Sequence, residues 1–445
     1  MFTASTSHAS SAWCSPRRWG VALVLCAAVV GVEVRAQPTL TLDQALRLAQ
    51  ERSRQLPAQE SAAAAAREMA LAAGQLPDPV LKAGINNLPV NGADAWSLTS
   101  DFMTMRSIGV MQEFTRDGKR KARSARFDRE AEAAEAGRAV ALANLRRDTA
   151  MSWLDRHYQE RMLGLLQVQR AETALQIEAA ESAYRGGRGS QADVFAARSA
   201  VAQLDDRIRQ TERQITIAKT RLARWVGADA DQALASPPGL AVARLDAASM
   251  ESQLEHHPQI ALMARQEATA RAEADIAQSN KRSDWSVELM YSQRGSAYSN
   301  MVSLNVSIPL QWDQTNRQDR EVSAKLAMAD QMREQREEAT RERVAETRVW
   351  LQQWQSDRGR LEHYDSALIP LAGERTRAAI AAYRGGTGTL LAVLEARRME
   401  IDTRMERLRL EMETAGLWAQ LEYLIPAEHP ASAENRIDVP KEPKQ

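Results

Sequence analysis

A glycine-rich stretch occurs twice in the chain, at a separation of 199 residues. Residues 184–199 read YRGGRGSQADVFAARS and residues 383–398 read YRGGTGTLLAVLEARR, with eight of the sixteen positions identical. The residues predicted to stop the following helices, Gly227 and Pro426, are also 199 residues apart. Two separate features at one spacing indicate a tandem duplication, because chance similarity would not keep both in register.

Each copy of this stretch predicts a helical hairpin. The flanking segments are dense in Ala, Leu, Arg, Glu and Gln, which favour helix. The glycines allow a sharp reversal, and Ser190 or Thr389 can then cap the next helix by accepting a hydrogen bond from a free N–H. Steps of three and four residues after each turn predict a coiled-coil seam. The seam comprises Val194, Ala197, Val201, Leu204, Ile208, Thr211, Ile215, Ala218, Leu222 and Trp225 in the first copy, and Leu394, Arg398, Ile401, Met405, Leu408, Met412, Ala415 and Ala419 in the second.

A helix and two short strands are predicted before each hairpin. In the first copy the helix covers 41–74, with Thr41 or Asp43 as its cap, and the strands cover 80–86 and 105–114. In the second copy the helix covers about 247–280, and the strands cover 285–293 and 301–312. Apolar residues alternate along these strands, as they would if one side faced lipid and the other an aqueous lumen.

The lengths of these elements predict an assembly of several chains. A helix from Lys119 to Ala183 would be a rod of ~95 Å, longer than a globular domain. Four strands cannot close a barrel, and lipid does not tolerate open sheet edges, so strands from three chains would be needed to make twelve. The expected fold is mainly α with a small β part. Three chains would together form a 12-stranded transmembrane β-barrel, with four strands per chain, and each chain would contain two tandem structural repeats with long coiled-coil helices.

The two ends of the chain fall outside the repeats. Residues 1–36 predict a secretory signal peptide, because two arginines precede an apolar run and small residues stand before Gln37. Both cysteines lie in this segment, so the mature chain is expected to lack disulfides. The first repeat would cover 37–240 and the second 241–426. Residues 427–445, polar and containing prolines, predict a disordered tail.

Charge and motifs argue against other classes of protein. Without the signal peptide the chain has 55 basic and 57 acidic residues, so it lacks the basic footprint of a nucleic-acid-binding protein. The six histidines are scattered and form no HExxH or similar motif. Met103, Met105 and Met111 could offer thioethers to Cu(I), but we expect them to line a loop and a strand. We expect no metal site, no cofactor and no enzymatic activity.

The order of elements resembles the TolC family of outer-membrane efflux factors. The resemblance also rests on the duplicated YxxG turns and on the basic helix starts after the second strands, MQEFTRDGKRKA at 111–122 and IPLQWDQTNRQD at 308–319. It implies a homotrimeric duct in the outer membrane of a Gram-negative bacterium, with a long periplasmic extension gated at its tip. The implied duct is a trimeric α-barrel of long coiled-coil helices continuous with a 12-stranded transmembrane β-barrel. The implied partners are a periplasmic adaptor (membrane fusion) protein, an inner-membrane resistance-nodulation-division pump and outer-membrane lipid.

The substrate class follows from a second resemblance. LPDPVLKAGINNLPVNG and DFMTMRSIGVMQEF are similar to the branch of this family that serves heavy-metal exporters. Heavy-metal cations are therefore the implied substrate, conducted from the periplasm to the exterior. The same duct could instead serve organic toxicants, because a duct selects little. A non-spanning periplasmic coiled-coil scaffold or adaptor is the other alternative, but an adaptor would carry one hairpin, whereas this sequence predicts two.

The resemblance places both glycine turns at the periplasmic tip. Tyr184, Gly187 and Asp193 match the tip pattern in the first copy, and Tyr383 and Gly386 match it in the second. A ring of three Asp193 carboxylates would attract cations into a narrow mouth. The entrance residues implied by the resemblance are thus Asp193, Tyr184 and Tyr383, with Glu395 as a further acid.

The same turns are implied to contact the adaptor. The contacting residues would be Gly187, Arg188, Gly189, Ser190, Gly386, Thr387, Gly388 and Thr389. Gly388 replaces a basic residue that latches the closed state in some members, and Ala392 replaces an acid at the constriction. Arg185, Arg188 and Arg384 are nearby candidates for substitute pairing, or else solvated turn residues.

Overall fold

The computed structural model describes residues 39–243, 245, 250–254 and 256–425. The predicted signal peptide, Pro426 and the predicted tail lie outside these residues. The described part is mainly helical and contains one four-stranded sheet. The elements in chain order are α1 (Leu42–Arg52), α2 (Gln55–Ala73), β1 (Val80–Asn86), β2 (Met105–Phe114), α3 (Asp117–Arg185), α4 (Gln191–Val226), α5 (Met250–Leu254), α6 (Pro258–Asn280), β3 (Trp285–Gln293), β4 (Met301–Ser307), α7 (Gln318–His363), α8 (Ile369–Arg384) and α9 (Leu390–Glu422).

The prediction of a single helix over 41–74 is wrong, because the structure has two helices there. Thr41 caps α1 as expected, accepting a hydrogen bond from Gln44 N at 3.2 Å. The helix stops after Arg52 because Pro57 has no N–H to donate to the carbonyl of Ser53. Ser53 Oγ instead accepts from Leu56 N at 3.4 Å, near the start of α2.

The helix predicted over about 247–280 is also interrupted. Within the described residues, α5 ends at Leu254 and α6 begins at Pro258; residues 247–249 and 255 lie outside the description. Proline is favoured at the first position of a helix, where no N–H is needed. His257 Nδ1 accepts the N–H of Gln259 at 3.1 Å and so caps α6.

The long helix predicted from Lys119 to Ala183 is confirmed by α3. It has 69 residues, which correspond to about 104 Å at 1.5 Å per residue. No helix among the described residues combines the length and the apolar character that a membrane crossing requires.

A π-helical turn at Tyr364–Leu368 separates α7 from α8, and the sequence did not predict it. Pro370 has no N–H to donate to the carbonyl of Ser366. The backbone widens instead, so that Ile369 N–H reaches the carbonyl of Tyr364. Arg407 of α9 then binds this turn through Asp365, with two nitrogen–oxygen distances of 2.9 and 3.0 Å.

The four strands form one antiparallel sheet in the order β1-β2-β3-β4. The first three strands have their predicted bounds. The fourth, predicted to reach residue 312, ends at Ser307, two residues before Pro309. One face exposes large apolar side chains, which are Leu81, Ile85, Ile108, Val110, Leu289, Tyr291, Val302, Leu304 and Val306. The other face carries Lys82, Asn86, Ser107, Glu288, Ser292, Ser303 and Asn305.

The helices pack around three apolar clusters spaced along α3. The largest surrounds Trp153, Leu154 and Tyr158 and joins α1, α3, α4, α7 and α9. The second contains Met162, Leu204 and Met405, among others. Most residues of the two predicted seams are buried or half-buried, but the Arg398 side chain is 70% exposed. In the second hairpin the buried positions before it are Leu390, Val393, Leu394 and Ala396.

Candidate functional site: the two glycine turns

The turns after α3 and after α8 have the same hydrogen-bond pattern. In the first turn the carbonyl of Ala183 accepts the N–H groups of Arg188 and Gly189, at 2.9 and 3.1 Å. In the second turn the carbonyl of Ala382 accepts the N–H groups of Thr387 and Gly388, both at 3.0 Å. In each turn, therefore, a single carbonyl near the end of the preceding helix accepts the two hydrogen bonds that hold the turn closed.

Two glycines in each turn are required for different reasons. Gly187 and Gly386 have φ values of +71° and +76°, in the left-handed region that residues with a Cβ disfavour. At Gly189 and Gly388 there is too little space for a side chain. A Cβ there would lie 3.1 Å from Ala183 Cβ in the first turn and 3.0 Å from Ala382 Cβ in the second.

Ser190 caps α4 as the sequence predicted, and Asp193 completes a capping box. Asp193 N donates to Ser190 Oγ at 3.2 Å. In return the Asp193 carboxylate accepts from Ser190 N at 2.9 Å and from Ser190 Oγ at 2.7 Å. The hydrogen bond from the Ser190 backbone, followed by that from its hydroxyl, holds the pKa of Asp193 below its usual value.

This capping role of Asp193 was missed from the sequence, although a signal for it was present. A serine followed three residues later by an acid is close to the capping-box pattern S-x-x-E. In the second turn Thr389 Oγ1 accepts from Ala392 N at 3.2 Å, which confirms the predicted cap. Ala392 has no carboxylate to return the bond, so the second cap is only half of a box.

The other predicted entrance residues have different surroundings. Tyr184 is 50% exposed. Tyr383, at the equivalent place in the second turn, packs on an apolar cluster of Ala180, Val194, Ala197, Leu390 and Leu394. That cluster combines residues of α3, α4 and α9, so the structure brings the two turns together at one end of the helices. Glu395 is exposed on α9, one turn of helix beyond Leu391.

A groove of about 300 Å³ runs between α4 and α9 near the turns. Its lining includes the apolar residues Ala196, Leu391 and Leu394, together with Glu395. Two arginines in the lining are held by carboxylates. Arg207 binds Asp402 at 2.7 Å, and Arg397 binds Glu172 at 2.6 Å. The groove thus lies between the two hairpins of one chain and is lined by apolar and polar side chains, among them the exposed carboxylate of Glu395.

The arginines of the turns themselves are unpaired. Arg185, Arg188 and Arg384 are exposed, and within the described residues none of them makes an ion pair. The substitute pairing considered for them from the sequence is therefore absent from the described part of the single chain.

The structure offers no evident site for a metal ion in its described part. No group of three or more His, Cys, Asp or Glu side chains there is placed to hold one. Met103 precedes β2, while Met105 and Met111 lie in it, so these residues line a loop and a strand as predicted.

Comparison of the sequence and the structure with known proteins identifies the class of fold. Residues 231–425 match the family model described as outer membrane efflux protein. No curated protein is similar enough in sequence to match the chain. The structure, however, is similar to solved outer-membrane proteins over most of its length, which establishes that the chain has the fold of this class of channel.

Three of these solved structures show how far the likeness extends. The outer membrane protein VceC of Vibrio cholerae has 18% identity and a TM-score of 0.71, covering 86% of this chain and 95% of that one. The outer membrane channel CmeC of Campylobacter jejuni has 11% identity and a TM-score of 0.72, covering 86% and 85%. The open state of the outer membrane channel MtrE of Neisseria gonorrhoeae has 18% identity and a TM-score of 0.64, covering 86% and 88%.

Proposed function

We propose that the chain belongs to the outer membrane efflux protein family and forms the outer-membrane channel of a tripartite efflux system. The observation that carries this proposal is the similarity of fold to solved outer-membrane channels over 86% of the chain. The match of residues 231–425 to the family model supports it independently. The role is passive conduction rather than catalysis.

The sheet supports a homotrimer in which twelve strands close a barrel. β1 and β4 are edge strands of the single chain, so their outer backbone groups need partners from other chains. The apolar face of the sheet suits lipid. The opposite face carries the ion pair between Lys82 Nζ and Glu288 Oε2, at 3.1 Å, which suits an aqueous lumen. The chain would then consist of the repeats 37–240 and 241–426, each contributing two strands and a hairpin.

The glycine turns would form the periplasmic entrance of this channel. Their equal geometry and shared apolar cluster support a common role for the two turns at one end of the duct. Asp193, Tyr184, Tyr383 and Glu395 would line the entrance. A periplasmic adaptor would contact the turn residues 187–190 and 386–389, and the groove between α4 and α9 offers it a partly apolar surface. An inner-membrane resistance-nodulation-division pump would deliver the substrate, for which we propose heavy-metal cations.

Conductance measurements in planar bilayers would test the channel and its entrance. The purified mature protein should run as a trimer and give discrete single-channel openings. Asp193→Asn should reduce selectivity for cations, because it removes a carboxylate from the mouth while preserving shape. Ser190→Ala is the matched control, since it weakens the same helix cap without changing charge. A folded trimer without openings in any ionic condition would contradict the proposal. Equal cation selectivity in wild type and Asp193→Asn would show that Asp193 does not line the entrance.

The substrate class needs a separate test in cells. Deletion of the gene should raise sensitivity to Cu, Ag, Zn or Cd salts, and the wild-type chain should restore growth. Unchanged metal tolerance together with increased sensitivity to organic dyes or antibiotics would instead support the same duct serving organic toxicants.

A further inference from the structure

We propose that three methionines on the polar face of the sheet bind soft monovalent cations, Cu(I) or Ag(I), as these ions pass along the lumen. We name them the methionine ladder: Met111 in β2, Met290 in β3 and Met301 in β4. The inference rests on the proposed channel, and it narrows the proposed substrate from heavy-metal cations to this class of ion.

Methionine is confined to one face of the sheet. The described strands contain four methionines, and their register places all four on the polar face, with Lys82 and Glu288. They are Met105, Met111, Met290 and Met301. Apart from Val80, at the first position of β1, the polar face of these strands has no other large apolar residue. The large apolar residues of the opposite face are aliphatic or aromatic, and none is methionine. Leucine or valine would serve if only apolar bulk were needed on the polar face, so the restriction to methionine points to its sulfur.

The strand register places the three residues of the ladder in a diagonal line across neighbouring strands. Met111 is two positions from Gly109, which pairs with Met290. Met290 pairs with Ser303, which is two positions from Met301. Diagonal neighbours on one face of an antiparallel pair are about 7–8 Å apart, within reach of long side chains. Met290 is therefore a neighbour of both other methionines.

The ladder runs from one end of the sheet towards the other. Met111 lies near the end of β2 that leads into α3, whereas Met301 is the first residue of β4, at the opposite end of the sheet. Each step of two residues advances about 7 Å along the strands. In the proposed channel α3 extends into the periplasm, so the ladder leads from the periplasmic side to the exterior, which is the direction of export. Met105, at the start of β2, lies outside this line.

The methionines of the ladder are not packed into an apolar core. Met111 and Met290 are half-buried, and Met301 is 44% exposed. Small neighbours leave space beside the middle one: a Cβ at Gly109 would lie only 3.2 Å from Met290 Cβ, and the partner on the other side is Ser303. The sulfur atoms therefore remain open to the face of the sheet that is polar elsewhere.

Thioether sulfur determines which ions the ladder takes. It is a soft, neutral ligand that suits Cu(I), and Ag(I) shares the charge and the softness of that ion. Zn²⁺ in proteins is bound by thiolate, imidazole and carboxylate groups instead. Conduction requires sites that are favourable enough for an ion to enter and weak enough for it to leave. A line of neighbouring thioethers meets both conditions, because an ion can pass from one sulfur to the next.

Silver binding to the purified mature trimer tests the ladder. Equilibrium dialysis against silver nitrate in chloride-free buffer, with the bound silver counted by mass spectrometry, gives the number of sites and their dissociation constant. Met290→Leu should weaken silver binding about tenfold or more, because it separates the two remaining sulfurs and one ion can no longer bind two of them. Met111→Leu and Met301→Leu each leave one neighbouring pair and should cost less. Leucine has a similar volume, so the three variants should still fold as trimers.

The control variant is Met69→Leu, which removes a 50% exposed methionine on α2, outside the sheet, and should leave silver binding unchanged. Zinc nitrate is the control ion and should show no binding that depends on Met290. The inference is overturned if Met290→Leu binds silver as tightly as wild type, or if Met69→Leu loses as much affinity as Met290→Leu. It is equally overturned if zinc binds as tightly as silver and is lost in the same variants.

Single-channel conductance of the same preparations separates this inference from the proposed function. A conducting trimer whose silver binding does not depend on Met290 removes the ladder and leaves the channel intact. A trimer that binds silver through the ladder but never conducts leaves the binding site and contradicts the channel.

Discussion

Lys119 Nζ lies 2.8 Å from Asp284 Oδ2, and this ion pair joins the start of α3 to the start of β3. The two side chains are only 9% and 15% exposed. Arg116 N also donates to Asp284 Oδ1, at 3.0 Å, and Arg116 Nε donates to the carbonyl of Ser283. The place where the longest helix meets the sheet is therefore held by contacts between residues far apart in sequence.

Breaking this pair should destabilise the protein strongly. Asp284→Asn leaves the Lys119 ammonium shielded from water without a counter-charge, which costs about 3 kcal/mol in the free energy of unfolding. Chemical denaturation followed by circular dichroism would measure it. Arg341→Gln is the control, because Arg341 and Glu338 are both 71% exposed and their pair should contribute less than about 1 kcal/mol. Equal effects of the two substitutions would contradict the assignment.

The stability of the α6 cap should depend on pH through His257. Burial, followed by the charge of Arg343, lowers the pKa of His257 to about 4 from 6.5. The unfolded chain takes up the proton at a higher pH than the folded chain does. The stability that depends on neutral His257 is therefore fully present above pH 6.5 and is lost as the pH falls towards 4. It amounts to about 3 kcal/mol.

Unfolding curves for wild type and His257→Asn between pH 7 and 4 would check this effect. Asparagine keeps a cap acceptor but does not titrate, so the part of the acid destabilisation that depends on His257 should disappear. His363→Asn, at an exposed position, should retain the wild-type slope. A slope that survives in His257→Asn would show that other groups cause it.

Gly109 should be intolerant of any side chain. A Cβ at this position would lie 2.7 Å from the carbonyl oxygen of Leu289 and 3.0 Å from Met290 Cα, both in the neighbouring strand. Gly109→Ala must push β2 away from β3 and should cost about 2 kcal/mol or more. The folded fraction recovered after refolding into detergent would report this loss. Gly84→Ala is the matched control, because the nearest atom to a Cβ at this position would be Ser107 Oγ at 3.9 Å. This variant should refold normally.

Alanine at the turn glycine and alanine in the helix should change stability in opposite directions. Gly187→Ala forces a residue with a Cβ into the left-handed region and should cost about 1 kcal/mol. Gly164→Ala, in the middle of α3 with no atom within 4 Å of the new Cβ, should stabilise by about 0.5–1 kcal/mol. Denaturant midpoints of the two variants measure the difference. A stabilised Gly187→Ala would mean that the turn does not keep this conformation.

The sequence predicted correctly those elements that are determined by residues close together along the chain. The glycine pattern, the Ser190 and Thr389 caps and the length of α3 all follow from neighbouring residues, so they could be identified without a structure. The same is true of the first three strands, which are bounded by turn residues and alternate along their length. The π-helical turn also has a local cause, Pro370, but proline is compatible with several ways of interrupting a helix, and only the structure shows which one occurs.

The amino-acid sequence by itself determined that two hairpins follow two pairs of strands. Tertiary structure decided how those parts meet. Paired residues of β2 and β3 are 171 to 187 positions apart, and Lys119 and Asp284 are 165 positions apart, and no local preference encodes such distances. The capping role of Asp193, by contrast, has a local cause, because its carboxylate accepts the N–H of Ser190 three residues earlier, whereas its expected place at a mouth came from the family resemblance. Local propensities act over a few residues, and long-range contacts depend on which surfaces remain to be buried once the elements have formed.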